Sequence, residues 1–203
     1  MEIKTLVLGH IHTNCYLVST EKAALVIDPA FKSQQIEDFL LKNKDKQRMI
    51  MLTHAHFDHI GAAPYLREKC DVKIAAGELD NPDLSDPFVN LSDRFHAHIP
   101  PFSADITLKD KQEFSVGDID IKVLHTPGHT VGSVCYLIGD ILFSGDTLFY
   151  ESIGRTDFPK SNHLDMMKSL DRLLSLDNGI KVLSGHGPET TIGHERLYNP
   201  FIR

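Results

Sequence analysis

The sequence lacks the features that mark disulfide-rich, membrane-spanning and nucleic-acid-binding proteins. Its three cysteines are odd in number and form no C-x-x-C pair, so we expect neither a disulfide framework nor a zinc ribbon. No apolar run approaches the roughly 20 residues that cross a bilayer, which argues against a membrane partner. Runs of lysine and arginine are absent and the formal net charge is -7, which argues against nucleic acid as a partner. Since the first residues also lack the apolar core of a signal peptide, we expect a cytoplasmic protein.

The composition that is present is that of an ordinary globular protein. Hydrophobic residues make up 41% and charged residues 24% of the 203 residues, which suffices for one sizeable core. We predict a single domain over residues 1–203, with two pseudo-equivalent halves joined near residues 81–105. Short strand-like segments and amphipathic helical segments recur in both halves, and together they predict an α/β sandwich.

Three local predictions follow from periodicity and turn chemistry. A helix that starts near Leu164 is predicted to bury a face made of Leu164, Met167, Leu170 and Leu174. Ile106–Leu108 is predicted to be a strand of the second half. Gly139 and Asp140, between two apolar strands, predict a hairpin with a type II′ turn.

Four potential metal ligands stand within six residues directly after an apolar strand. They are His54, His56, Asp58 and His59. Because side chains two apart in extended backbone share a face, His54 and His56 can point at one ion. Imidazole and carboxylate suit Zn²⁺, Fe²⁺ or Mn²⁺, and no cysteine is near enough in sequence to favour a closed structural zinc site. The cluster therefore predicts an open metal site.

Three further elements repeat this arrangement of an apolar strand that ends in a ligand beside glycine. A T-P-G-H-T element contains His129, an S-G-D-T element contains Asp146, and a G-H-G-P element contains His186. Glycine next to a ligand permits unusual backbone angles and close approach. His96 and His98 copy the H-x-H spacing, but no strand precedes them, and we expect them to be loop residues without a ligand role.

The H-A-H-F-D-H cluster and these three elements, in this order, resemble the metallo-β-lactamase superfamily over almost the whole chain. The resemblance implies an αβ/βα four-layer sandwich with its metals at one edge. It also implies two divalent metal ions, zinc in the first place, with iron or manganese as alternatives. By resemblance, His54, His56 and His129 would hold the first ion, Asp58, His59 and His186 the second, and Asp146 would bridge them.

Within the superfamily, D-T-L-F followed by S-I-G-R-T-D-F-P is similar to small glyoxalase II-like proteins, the single-domain hydroxyacylglutathione hydrolase-like group. This implies a thioesterase for S-acylglutathione or a related small thioester, acting through a metal-bridging hydroxide. Asp58 would orient the hydroxide as a catalytic residue, and Arg155 would bind substrate. However, Asp157 replaces an aromatic residue of the family, and the helical domain that grips glutathione in full-length glyoxalase II has no counterpart in these 203 residues. Thioester hydrolysis is therefore better supported than glutathione specificity, and an ion pair with Asp157 is an alternative role for Arg155.

Two other functions stay open at this point. Persulfide dioxygenases share the fold and a G-R-T-D stretch, and hold a single iron at positions equivalent to His54, His129 and Asp146; a 2-His-1-carboxylate set is an oxygen-activating arrangement. The other alternative is a metal-binding protein without catalysis. A β-lactamase is disfavoured by Asp146 and by the absence of an export signal. The oligomeric state is open, as is whether residues 81–101 or a second subunit complete the pocket.

Overall fold

Strands and helices alternate along the chain, and the computed structural model describes residues 1–202. The elements in chain order are β1 (Glu2–Leu8), β2 (Thr13–Ser19), β3 (Ala23–Ile27), α1 (Gln34–Lys42), β4 (Gln47–Leu52), α2 (Phe57–Ile60), α3 (Ala63–Cys70), β5 (Lys73–Gly77), a 3-10 helix (Pro82–Ser85), β6 (Ile106–Leu108), β7 (Glu113–Val116), β8 (Ile119–His125), β9 (Val134–Ile138), β10 (Ile141–Gly145), β11 (Leu148–Phe149), β12 (Ser152–Ile153), α4 (His163–Leu174), β13 (Lys181–Ser184), β14 (Thr190–Thr191) and α5 (Ile192–Tyr198).

Two six-stranded sheets form the centre of the protein. The first has the strand order β1-β2-β3-β4-β5-β6, and the second has the order β14-β13-β10-β9-β8-β7. In the first sheet β1 to β3 are antiparallel and β3 to β6 are parallel. In the second sheet β10 and β13 are parallel, so the loops that follow these two strands meet at the same edge.

The sheets pack face to face and each carries helices on its outer face. Because strand side chains alternate, Leu25 and Ile27 of β3 enter the core between the sheets, whereas Val26 faces outwards among residues of α1 and α3. On the far side, apolar residues of α4 and α5 pack against β9, β10 and β13. The order of layers is helix, sheet, sheet, helix, which confirms the predicted αβ/βα four-layer sandwich.

The assignment of Ile106–Leu108 to the second half was wrong. This strand pairs in parallel with β5 and forms the edge of the first sheet. The chain passes to the second sheet only at residues 109–112, slightly beyond the predicted join at residues 81–105. A three-residue apolar strand contains no pattern that specifies its partner, since pairing is a property of the sheet. The single domain over residues 1–203 stays a prediction.

The predicted buried face of α4 was also wrong in part. Leu164 is 71% exposed, while Met166, Ser169, Leu170 and Leu173 are buried. Ser169 occupies this face because its Oγ donates a hydrogen bond to the Pro127 carbonyl at 2.7 Å, a partner that helical periodicity cannot reveal.

The hairpin prediction agrees with the structure. Gly139 has a φ of +60°, as the first central residue of a type II′ turn requires. The three cysteines are free and buried. None of the helices within residues 1–202 combines the length and apolar character that crossing a bilayer requires. The cytoplasmic location stays a prediction.

Candidate metal centre

All seven residues predicted as metal ligands lie together at one edge of the two sheets. His54 follows β4 directly, His56 precedes α2, and Asp58 and His59 lie within this single helical turn. The loops after β8, β10 and β13 bring in His129, Asp146 and His186. Potential ligand atoms of three sets of residues each lie within 4.8 Å of one another. These sets are His54, His56 and His129, then His54, His59 and Asp146, and finally Asp58, His59 and His186.

We call His54, His56 and His129 the first ligand group, and Asp58, His59 and His186 the second ligand group. Asp146 lies between the groups. One of its carboxylate oxygens, Oδ2, is 3.4 Å from His129 Nε2 and 3.5 Å from His186 Nε2, and the other, Oδ1, is 3.3 Å from His59 Nε2. The carboxylate therefore contacts members of both groups.

The donor atoms at this centre fit divalent cations. Among the described residues, His54 Nε2, His56 Nε2, His59 Nε2 and Asp146 Oδ1 are buried without a hydrogen-bond partner. Leaving one such group unsatisfied costs about 1–3 kcal/mol. His56 Nδ1 and His129 Nε2 face each other at 2.8 Å. Imidazole nitrogens and carboxylate oxygens that converge in this way are a ligand set for zinc, iron or manganese. The metal-binding role itself stays a prediction.

The first ligand group is electrically neutral at ordinary pH. Burial, together with the neighbouring His129, lowers the pKa of His56 to about 3. Burial likewise lowers the pKa of His54 and of His129. All three imidazoles are thus in the form that can bind a cation without first losing a proton.

The second ligand group is charged. Burial opposes protonation of His186, but hydrogen bonds to Asp146 and Asp58 outweigh it and raise the pKa of His186 to about 10. The pKa of His59 is also raised, because Asp146, Asp58 and Asp28 outweigh its burial. Burial would raise the pKa of Asp58, but His59 and His186 hold it below its ordinary value.

Sequence reasoning missed the residues that hold the ligand loops. Asp28 accepts hydrogen bonds from the Thr53 amide at 2.8 Å and the Thr53 hydroxyl at 2.6 Å, and its Oδ2 lies 2.9 Å from His59 Nδ1. Asp28 stands directly after β3, as the ligands stand after their strands, so the same pattern could have identified it. Thr13 Oγ1 donates to Asp58 Oδ2 at 3.0 Å.

Asp80 is the second carboxylate that sequence reasoning missed. It is fully buried and accepts hydrogen bonds from the Ala55 amide at 2.9 Å, the Thr130 hydroxyl at 2.7 Å and the Gly132 amide at 2.6 Å. Because Ala55 lies between His54 and His56 and Thr130 follows His129, Asp80 joins the two loops of the first ligand group. Burial raises the pKa of Asp80 to about 6, although the three hydrogen bonds favour the ionised carboxylate and act to lower this pKa.

Close packing explains one glycine of the G-H-G-P element. A Cβ on Gly185 would lie 2.2 Å from Asp146 Oδ1 and 2.6 Å from His59 Cε1, which no side chain could tolerate without displacing these ligands. On the other side of the centre, His129 Nδ1 contacts the Arg155 carbonyl at 2.8 Å. Because Nδ1 of the His129 ring is occupied by this hydrogen bond, Nε2 is the ring nitrogen that faces the other candidate ligands.

The side chain of Arg155 is 61% exposed and is engaged by Asp157. Its Nε and Nη2 donate to the two carboxylate oxygens of Asp157 at 2.9 and 2.7 Å. This is the ion pair that the sequence left as an alternative role, and substrate binding by Arg155 stays a prediction. His96 and His98 lie outside the three sets of ligands among the described residues.

Comparison with known proteins supports this interpretation. Residues 8–186 match the sequence profile of the metallo-β-lactamase superfamily. A probable metallo-hydrolase, YqgX of Bacillus subtilis, is 34% identical over 100% of this chain and 98% of its own length. The hydroxyacylglutathione hydrolase GloC of Haemophilus influenzae is 31% identical over 100% of this chain and 98% of its own length.

Two solved structures have the same fold over nearly their full length. The BLEG-1 B3 metallo-β-lactamase superimposes with a TM-score of 0.90 at 37% identity and 99% coverage of both chains. TTHA1623 in a di-iron-bound form superimposes with a TM-score of 0.84 at 36% identity, covering 98% of this chain and 99% of its own. With the profile match, the fold and the cluster of ligand residues in agreement, the chain belongs to the metallo-β-lactamase superfamily of metallo-hydrolases.

Proposed function

We propose that this protein is a binuclear thioesterase of glyoxalase II type, acting on S-acylglutathione or a related small thioester. The observation that carries the proposal is the position of Asp146, whose carboxylate contacts both ligand groups. A carboxylate in this position is able to serve two neighbouring cations, as two-metal hydrolytic sites need. The name of the Haemophilus relative makes S-acylglutathione the first substrate to test.

In this proposal the chain's own residues would have the following roles beside the bound metals. Two bound divalent cations lower the pKa of water and polarise an acyl carbonyl. Asp58 is ionised, since its pKa is held low, and it orients the attacking water by accepting a hydrogen bond. The Thr13 hydroxyl keeps the Asp58 carboxylate in place. No side-chain nucleophile is needed, which agrees with the burial of all three cysteines.

Zinc is the metal that we propose first, with iron and manganese as alternatives. The ligand set accepts all three, because imidazole and carboxylate do not discriminate strongly among them. The di-iron form of the similar TTHA1623 structure keeps iron under consideration. Metal analysis of the protein as purified, together with activity after reloading with each ion, would decide the question.

The activity test is hydrolysis of S-lactoylglutathione and other thioesters by the metal-loaded protein. We expect turnover that is lost in His56→Ala and Asp58→Ala. His163→Ala is the matched control, because His163 is exposed and outside the three sets of ligand residues. If the wild type, like His56→Ala and Asp58→Ala, turns over no tested thioester above background, the hydrolase assignment is wrong and a non-catalytic metal-binding role gains support.

A mononuclear-iron persulfide dioxygenase is the second candidate, favoured by the contact between His129 and Asp146 at 3.4 Å. By resemblance to persulfide dioxygenases, His54 would complete a 2-His-1-carboxylate set with these two residues. One iron per chain with oxygen uptake on glutathione persulfide would support it, and two ions per chain without uptake would exclude it. A β-lactam belongs in the same substrate panel because of the similarity to BLEG-1.

A further inference from the structure

The segment between β5 and β6, residues 78–105, forms a wall beside the candidate metal centre. It is attached to the ligand-bearing loop at two points. Asp80 accepts a hydrogen bond from the Ala55 amide, and the Asn90 carbonyl accepts one from the Phe57 amide at 2.8 Å. These two hydrogen bonds hold residues 78–105 beside the loop that carries His54 and His56.

An aromatic ring connects this wall with the metal centre. The centroid of Phe158 is 5.4 Å from that of the His56 ring and 6.0 Å from that of the His129 ring. Two guanidinium groups lie against the same phenyl ring. The guanidinium carbon of Arg155 is 4.4 Å from its centroid, and that of Arg94, which belongs to the wall, is 5.8 Å away. Both distances are within the range of cation–π contacts.

The two arginines differ in the hydrogen bonds that their guanidinium groups make. Arg155 donates two hydrogen bonds to the Asp157 carboxylate, which compensates its charge. Arg94 is exposed, and no hydrogen bond or ion pair joins it to another described residue. Its guanidinium thus keeps its donors available, one aromatic ring away from the candidate ligands. Arg94 also acts electrostatically on Asp157 and, after the hydrogen bonds from Arg155, helps to hold the pKa of that carboxyl below its ordinary value. Both carboxylate oxygens of Asp157 already accept hydrogen bonds from Arg155, so two guanidinium groups face one carboxylate and positive charge remains beside the candidate ligands.

We propose that Arg94 determines substrate specificity by binding an anionic group of the thioester, a carboxylate or a phosphate, while the reacting carbonyl lies at the metal centre. The inference rests on the proposed thioesterase function and names the substrate class more narrowly. The planar guanidinium suits both anions because it donates two parallel hydrogen bonds. Phe158 provides the apolar surface between Arg94 and the centre.

The test compares three thioesters of one acyl group on the zinc-loaded protein. The glutathione thioester carries carboxylates, the coenzyme A thioester carries phosphates, and the N-acetylcysteamine thioester is neutral. For Arg94→Gln we expect KM to rise ~10-fold for at least one anionic substrate, with kcat within about twofold and the neutral substrate unaffected. For Arg94→Lys we expect KM values between those of the wild type and of Arg94→Gln, because lysine keeps the positive charge but cannot donate two parallel hydrogen bonds. Lys44→Gln, an exposed lysine after α1, is the control for loss of one positive charge.

The results separate the inference from the proposed function. An effect confined to the glutathione thioester identifies a carboxylate, and one confined to the coenzyme A thioester identifies a phosphate. If the wild type hydrolyses all three thioesters and Arg94→Gln leaves the anionic-to-neutral ratio of kcat/KM unchanged, the inference about Arg94 is wrong and the function stands. A rise in KM in Arg155→Gln alone would transfer the role to Arg155.

If the wild type hydrolyses none of the thioesters, the proposed function fails and Arg94 is still testable by binding. Calorimetric titration with S-methylglutathione and with coenzyme A measures anion binding without turnover. An affinity that is ~10-fold weaker in Arg94→Gln for either compound supports the inference. Equal affinities in the two proteins for both compounds would overturn it.

Discussion

The two ligand groups of the candidate centre share one carboxylate but differ in charge and exposure. The first group consists of three buried imidazoles whose pKa values are all lowered. In the second group the pKa values of both imidazoles, His186 and His59, are raised, so these rings keep their protons beside the Asp58 carboxylate. The side chain of His186 is 24% exposed. The difference teaches that burial, with help from neighbouring imidazoles, prepares the first group for a cation by keeping its imidazoles neutral. The second is balanced by its own protons, which a cation would have to displace.

The residues that hold the two ligand groups in place also differ. Asp80 joins the two loops of the first group by accepting hydrogen bonds from two backbone amides and a hydroxyl, and among the described residues no imidazole donates to it. In the second group Asp28 contacts the ligand His59 itself, and Thr13 donates to the ligand Asp58. The comparison predicts that the two groups can be weakened separately.

The largest effect is expected where the groups meet, at Asp146. Asp146→Asn removes the shared negative charge, so metal binding to both groups should weaken by more than about 100-fold, and turnover should fall with it. Metal content after gel filtration and thioester turnover would measure this. Two tightly held ions per chain in the variant would show that the groups do not depend on the shared carboxylate.

The second-largest difference between the two groups is expected in the pH dependence of their metal affinity. His186, with a pKa of about 10 against an ordinary value of 6.5, stabilises the metal-free fold fully below pH 6.5, and this stabilisation is lost as the pH rises through 10. A cation must displace that proton and also the proton of His59, whose pKa is raised as well, so affinity at the second group should rise by at least about tenfold per pH unit between pH 7 and 9. Affinity at the first group should change little, because its imidazoles are already neutral.

Calorimetric titration with Zn²⁺ in buffers of different ionisation enthalpy would count the protons released at each binding step. We expect release at the step assigned to the second group and almost none at the other. Equal proton release at both steps would contradict the contrast between the groups.

Asp80→Asn should weaken the first group alone. The amide cannot accept all three of the hydrogen bonds, so the loops that carry His54, His56 and His129 lose their common anchor. Supporting residues of this kind typically change metal affinity about 10–100-fold. The measurement is a two-step zinc titration. Asp86→Asn, an exposed carboxylate in the same segment, is the matched control, and an equal loss at both steps would contradict the assignment.

Thr13→Val should produce the smallest effect, and only at the second group. The substitution keeps the shape of the side chain and removes the hydroxyl that donates to Asp58. A hydrogen bond to a carboxylate of this kind corresponds to about a tenfold change in affinity. Thr13→Ser should restore it. If Thr13→Ser behaves as Thr13→Val does, packing of the methyl group, and not the hydrogen bond, explains the effect.

Short-range patterns explain what could be predicted. The six residues from His54 to His59 and the three glycine-flanked elements are local, and each follows an apolar strand, so their chemistry can be recognised without coordinates. The order of these elements resembles that of the metallo-β-lactamase superfamily, and this resemblance implied the fold. Periodicity failed at α4, where Ser169 takes a buried position by a hydrogen bond to a distant carbonyl, and at β6, where pairing selects the first sheet.

By itself, the sequence determined the seven candidate ligands, because these depend on residue types at fixed local spacing. The resemblance carried by these elements then implied the layered fold and the metallo-hydrolase class. Only the tertiary structure showed which residues support the candidate ligands, and that Arg94 lies against the Phe158 ring beside them. Asp80 and Arg94 belong to an irregular segment whose partners lie far away along the chain, at Ala55, Thr130 and Phe158. The same distinction applies to Arg155, for which the sequence left substrate binding and an ion pair with Asp157 as alternatives, and whose side chain the structure pairs with Asp157. Contacts across such distances depend on how the sheets pack, and no local pattern records them.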